Sequence, residues 1–220
     1  MAKPRSYKLL CPIARGLDRI GDRWTLLILR DLLAGPARFT DLQNGLTGIA
    51  ANLLTDRLAK LLADGLVAKV VGEHGAVLYE LTDRGAETRD ILFELALFGG
   101  GFDPEGDTVT PGNLRTVAVT LGTACQRVAT DAYDFTAAFV VDGEQMALTV
   151  GNGRANMLYH SAPSPDVILE TSYEALLAVS EGEMDLTQFV TSHCRTESKT
   201  RGKEQELFAL LTSAMSLFGN

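Results

Sequence analysis

The stretch from Gly99 to Gly112 does most to limit what this chain can fold into. It opens on Gly99-Gly100-Gly101, continues through Asp103, Pro104, Glu105, Gly106 and Asp107, and closes on Pro111-Gly112. Glycine, proline and clustered acids cannot sustain a helix, so 99–112 is expected as an exposed linker between two separately folding parts, 1–98 and 113–220. The two sides carry opposite charge. Residues 1–72 hold 11 Lys+Arg and 6 Asp+Glu, a net of +5, whereas residues 101–220 hold 7 and 16, a net of −9. The overall net charge of −8 conceals this division. Phosphate backbones attract the first segment and repel the second. Chance clustering on solvated faces would give the same totals, so charge alone does not assign a role.

Several classes are excluded early. At 46% hydrophobic and 22% charged residues, the composition is that of a globular chain. No apolar run reaches the roughly 18–20 residues of a membrane helix, so no membrane association is expected. The basic N-terminus, residues 1–16, has too short and broken an apolar stretch for a secretory signal. Cys11, Cys125 and Cys194 are far apart and odd in number, which excludes a disulfide scaffold and a zinc ribbon and fits a reducing cytoplasm. His74, His160 and His193 are scattered without ligand spacing, so no metal and no cofactor are expected. A GxSxG elbow, a phosphate-binding loop and a dinucleotide fingerprint are all missing, and the expectation is a protein that is not an enzyme.

The first part reads as mainly helical. Pro12 suits a first helical turn, and Ile13, Leu17 and Ile20 recur at helical spacing before Gly21. A second helix carries Trp24, Leu27, Ile28, Leu32 and Leu33 and stops at Gly35-Pro36. Thr40 and Gln43 have capping-box spacing for a short third helix. A fourth has Leu54, Leu58, Leu61 and Leu62 on one face and ends at Gly65. The period then changes: 66–71 and 76–81 are β-rich runs joined by residues 72–75, a hairpin pattern. Thr82 can cap a last helix with Ile91, Leu92, Leu95 and Phe98.

Helix, helix, turn, helix, hairpin, helix is the order of a winged helix-turn-helix, and the residues strengthen it. Cys11-Pro12, Gly21, Trp24, Leu29-Arg30-Asp31-Leu32, Gly35-Pro36, Arg38-Phe39, Gly48-Ile49, Leu54-Thr55, Arg57-Leu58, Asp64-Gly65-Leu66 and 79–85 occur in sequence. This series resembles the HxlR-type family of bacterial winged-helix transcription regulators over roughly residues 8–99. The resemblance implies a dimeric, sequence-specific DNA-binding regulator, with double-stranded operator DNA of palindromic form and a second copy of the chain as partners. Repression is the expected sign. Dimerisation in that family uses the first and last helices, here near 13–20 and 91–98.

With Leu54, Leu58 and Leu61 facing the core, Ala51, Asn52 and Thr55 turn outward on the recognition helix. Asn52 can pair with adenine through two hydrogen bonds, and the methyls of Ala51 and Thr55 can meet thymine methyls. Arg57 lies on the flank, either against phosphate or paired with Asp56 or Asp31. Arg38 and Thr40 precede the supporting helix, a usual place for backbone anchoring, with Thr40 alternatively a helix cap. His74 at the wing completes the candidate DNA-binding residues. The chain departs from the family in two places: Ala50-Ala51-Asn52 lacks a hydroxyl cap and a cation, and the short wing carries Glu73 rather than a basic cluster. Some members use an N-terminal cysteine as an oxidation sensor. Cys11, near Lys8 and Arg15 at an expected helix start, is the redox candidate here, the alternative being a small buried residue at the dimer interface.

From Asn113 to Thr130 a helix is expected, followed by strands near 135–141, 146–150, 155–159 and 167–170. Helical text spans 172–179 and 186–190, a last strand 194–199, and an amphipathic helix ends the chain. The expected fold is α+β, an antiparallel sheet with helices on one side. An aromatic-hydrophobic strand ending in Asp142-Gly143, the Gly151-Asn152-Gly153 turn and the run from Asp166 to Val190 resemble a sterol-carrier-protein-like domain. That resemblance implies a hydrophobic tunnel for a lipid-like effector. Candidates to line it are Phe139, Met146, Leu148, Met157, Met184, Phe189, Phe208, Leu211 and Met215, each of which could equally be core packing. A lipid carrier with a degenerate DNA-binding part, and a thiol switch at Cys11, are the alternatives to an effector-controlled regulator.

Overall fold

A computed structural model of the chain describes residues 6–102, 113–180 and 182–218. The chain divides into two compact units, Met1–Asn113 and Leu114–Asn220. Most of the segment expected as a linker, 103–112, lies outside the described residues.

The first unit runs α1 (Pro12–Ile20), α2 (Arg23–Leu33), α3 (Phe39–Gly45), α4 (Ala51–Ala63), β1 (Val67–Val71), β2 (Val77–Leu81), α5 (Asp83–Ala86) and α6 (Thr88–Gly99). Strands β1 and β2 pair antiparallel, Val67 opposite Leu81, and make the wing. A bridge between Ala37 and Tyr79 fastens the wing to the chain ahead of α3 through N–H···O bonds of 3.0 and 2.8 Å. Ile28, Leu29, Leu32, Leu42, Leu54, Leu58, Leu61 and Phe93 form the core. Full burial of each such side chain contributes on the order of 1.5–3 kcal/mol.

Three expectations change here. Arg38, not Thr40, precedes α3, because the Asp41 carboxylate accepts the Arg38 amide at 2.9 Å and closes the first turn one residue after it. Thr82 caps the single turn α5, accepting the Gly85 amide at 3.1 Å, and α6 starts separately at Thr88. Helix α6 also continues through Gly99, the first residue of the expected linker.

The buried side of α2 includes a carboxylate. Asp31 is fully buried, receives Arg30 Nε at 2.8 Å, and accepts the Asn113 amide at 3.2 Å. Asn113 also donates to the Gly45 carbonyl at 3.2 Å, so the end of α3 and the end of this unit meet at one buried charge. Such a charge is tolerable only with partners of this kind.

The second unit comprises α7 (Leu114–Val128), β3 (Phe135–Val141), β4 (Glu144–Gly151), β5 (Arg154–Leu158), β6 (Val167–Thr171), α8 (Tyr173–Ser180), α9 (Leu186–Ser192), β7 (Arg195–Ser198) and α10 (Lys203–Met215). The sheet order is β5-β4-β3-β6-β7. The sheet is not wholly antiparallel as expected: β6 returns alongside β3 in parallel, Ala137 opposite Val167. Two hairpins cannot place β6 there, so the connection through 159–166 must cross back. One face carries Phe135, Ala137, Phe139, Met146, Leu148, Val150, Met157, Val167 and Leu169, all buried. Helices α7 to α10 cover that face.

Two glycines permit close approaches. A Cβ on Gly122 would stand 2.7 Å from the Met157 Cβ, so its absence lets α7 settle onto β5. A Cβ on Gly85 would stand 2.0 Å from the Leu66 carbonyl oxygen. Gly85→Ala is therefore expected to cost about 1–3 kcal/mol through overpacking. Gly99→Ala, with open space around it, should change little. Denaturant unfolding followed by the fluorescence of Trp24, the single tryptophan, measures both. Equal stability of the two variants would contradict the tight approach at Gly85.

Candidate functional site

The exposed face of α4 is the centre of the first candidate site. Leu54, Leu58 and Leu61 are buried and anchor the helix, while Ala51, Asn52 and Thr55 are exposed on its opposite side, as the leucine spacing requires. Asn52 Oδ1 accepts the Leu53 amide at 2.9 Å, which holds the side chain against the first turn. Thr55, also exposed, donates its Oγ1 hydrogen to the Ala51 carbonyl at 2.9 Å. Arg38 and Thr40 are exposed at the start of α3. His74 is exposed at the wing tip in a left-handed conformation, φ 55°.

Arg57 differs from its expected partners. Its Nε and Nη2 donate to Oδ1 and Oδ2 of Asp22, both at 2.9 Å, rather than reaching Asp56 or Asp31. Asp22 is also the N-cap of α2, accepting the Trp24 amide at 3.1 Å. The carboxylate thus completes α2 and grips α4 together. Burial pushes the Asp22 carboxyl upward, but the Arg57 and Trp24 hydrogen bonds and the Arg57 charge outweigh it and hold the group below its usual range. This pairing was missed because 35 residues separate the partners and no periodicity relates them.

Helices α1 and α6 carry several large exposed apolar side chains. Ile13 and Leu17 project from α1, and Ile91, Leu95 and Phe98 from α6, with Phe102 stacked edge-on against Phe98 at 5.0 Å. Cys11 is the half-buried N-cap residue of α1. Burial pushes the thiol of Cys125 up to about 12 and that of Cys194 up to about 11.

The second unit contains an apolar cavity of about 120 Å³ between its sheet and helices. Of the residues expected to line a tunnel, Phe139, Phe189, Leu211 and Met215 do so. Met146, Leu148 and Met157 are instead fully buried on the sheet, and Met184 and Phe208 are not among the lining residues. For Met157 the difference follows from the close seating of α7 on β5 at Gly122. Val117, Thr120 and Leu121 of α7, Leu176 and Leu177 of α8, and Leu186 of α9 line the cavity and were not foreseen. The spacing of Val117 and Leu121 by one helical turn was the available signal. Among the described residues no cluster of His, Cys, Asp and Glu is placed to hold a metal, and no helix is long and apolar enough to cross a membrane.

The Asp22–Arg57 fork yields a prediction. Arg57→Ala should destabilise the first unit by about 1–2 kcal/mol, with partial exposure limiting the loss. A carboxyl held low when folded binds fewer protons than in the unfolded chain, so its contribution is complete above about pH 4 and falls as pH drops through the folded value. Asp22→Asn should remove this acid dependence, as read by Trp24 fluorescence between neutral pH and pH 2. An unchanged acid profile would contradict the tie.

Comparison with known proteins falls on the same elements. Residues 19–106 match the model of the HxlR-like helix-turn-helix family. The HTH-type transcriptional regulator sll1512 of Synechocystis sp. is 33% identical over 92 residues, 41% of this chain and 68% of that protein. YvaP of Bacillus subtilis, also an HTH-type transcriptional regulator, is 32% identical over 90 residues, 40% and 83% of the two chains. A quinone-bound crystal structure of YodB from Bacillus subtilis is 28% identical, covering 42% of this chain and 100% of that one, with a TM-score of 0.38. The chain belongs to the HxlR-like family of helix-turn-helix transcriptional regulators, a family whose partner is DNA.

Proposed function

We propose that this protein is a cytoplasmic, homodimeric operator-binding repressor that binds rather than catalyses, with a C-terminal unit that takes a hydrophobic effector. The observation that carries this reading is the exposed face of α4. Ala51, Asn52 and Thr55 stand on the side opposite a buried leucine stripe, at the N-terminal end that enters the major groove. Asn52 pairs with adenine N6 and N7, and Ala51 and the Thr55 methyl pack on thymine methyls. Arg38, Thr40 and His74 meet the phosphate backbone on either side. Arg57 acts through Asp22, as the residue that positions α4. Repression is the default because occupying the operator requires no further contact.

The apolar stripe Ile91, Leu95, Phe98 on α6, with Ile13 and Leu17 on α1, supports a second copy as partner. Two subunits present two recognition helices, hence a two-fold operator. The apolar cavity supports the effector, which acts only if it binds one DNA-competent arrangement better than another.

Selection from a genomic fragment pool at moderate salt should enrich a palindromic site. Asn52→Ala should weaken that site by about 5- to 150-fold while leaving non-specific binding in place. Uniform weak binding, unchanged by the substitution, would favour a lipid carrier whose N-terminal part only dimerises. Replacing Leu95 and Phe98 by Glu should give a folded monomer in sedimentation that no longer binds the palindrome. A dimer persisting in that variant would overturn the assigned interface.

A further inference from the structure

We infer that the cavity of the second unit takes a compact, uncharged molecule of about benzene size, and excludes sterols and fatty acids. This rests on the effector reading proposed above and narrows it to a ligand class. Size is the first argument. The space is about 120 Å³, close to the roughly 150 Å³ apolar cavity that admits benzene and below the roughly 300–1,000 Å³ of pockets for drug-sized ligands. The resemblance to lipid-carrying domains implied an open tunnel. Here α7 seats against β5 at Gly122 and Met157, and the open space is lined by Phe139 and not by Met157.

Chemistry is the second argument. Val117, Leu121, Phe139, Phe189, Leu211 and Met215 give an apolar wall, and none of the described lining residues is charged. Thr120 donates its hydroxyl hydrogen to the Thr116 carbonyl at 2.9 Å, and Ser180 donates to that of Leu177 at 2.8 Å. Both oxygens can still accept, and the Tyr173 phenol is the further hydroxyl on the wall, a neutral group that cannot offset a carboxylate's charge. A fatty acid would thus enter with no cation among the described lining residues to offset its charge, which is strongly unfavourable. A small neutral ring gives up no charge solvation on entry and meets the wall formed by Phe139 and Phe189.

The test uses the full-length protein with three probes: toluene, benzoate and palmitate. Titration calorimetry with ligand-observed NMR should show one toluene site per chain, benzoate about tenfold weaker or worse, and no palmitate binding. Val117→Phe, which fills the cavity, should weaken toluene about tenfold. Leu177→Phe, on the more exposed rim, serves if the first variant does not fold. Palmitate binding as tightly as toluene and weakened by the filling substitution would overturn the ligand class while leaving the effector site standing. Benzoate equal to toluene would overturn the requirement for neutrality. Toluene binding unaffected by either filling variant would remove the ligand from this cavity. Binding of none of the three would overturn both the class and the effector reading.

Discussion

The paired hydrogen bonds between Asp22 and Arg57 are what the geometry of the winged helix hangs on. The leucines beneath α4 drive it onto α2, but hydrophobic burial is non-directional and tolerates a helix rotated by part of a turn. A planar guanidinium held by both oxygens of one carboxylate does not. Because Asp22 is also the cap of α2, the position of the recognition helix is referred to the first turn of its neighbour. The pair is half-exposed, so it escapes most of the desolvation cost of a buried ion pair. The direction in which Ala51, Asn52 and Thr55 face follows from this fork and the leucine stripe together.

That division explains what could be read in advance. The order of elements and the outward face of α4 follow from apolar spacing, which a sequence displays directly. The Asp142-Gly143 and Asn152-Gly153 turns announce their hairpins, since both central residues take positive φ. Long-range pairings leave no such trace. Arg57 was expected against phosphate, Asp56 or Asp31, and only the fold selects Asp22. Asp31 lies in an apolar helix as an apparent interruption, until Arg30 and Asn113 are seen to surround it. The parallel seating of β6 against β3 is likewise a fact of chain return, not of strand pattern.

The cavity shows the same limit from another side. Methionines and aromatics alternating along β3, β4 and β5 identify the covered face of the sheet correctly. Whether each then touches open space or another side chain depends on how far a helix descends upon it. One missing Cβ, at Gly122, decides that for Met157. Side chains that read alike in sequence, Phe139 and Met146 for example, are cross-strand neighbours, yet only Phe139 lines the cavity.

The charge of the first unit has a consequence for how DNA must be held. Of its arginines, Arg19 pairs with Asp64 at 2.6 Å, Arg30 with Asp31 at 2.7 Å, and Arg57 with Asp22 at 2.9 Å. Cations held by internal carboxylates release fewer counterions from a phosphate backbone, so the excess of positive residues overstates the electrostatic pull. The wing, with Glu73 beside His74, adds little. In the dimer proposed above, affinity then depends on base-edge contacts and on presenting two copies of α4 at a fixed spacing. In such a balance a change in the separation of the two helices matters more than a change in charge. The exposed apolar side chains of α1 and α6, proposed above as the contact with a second copy, are where that separation would be set.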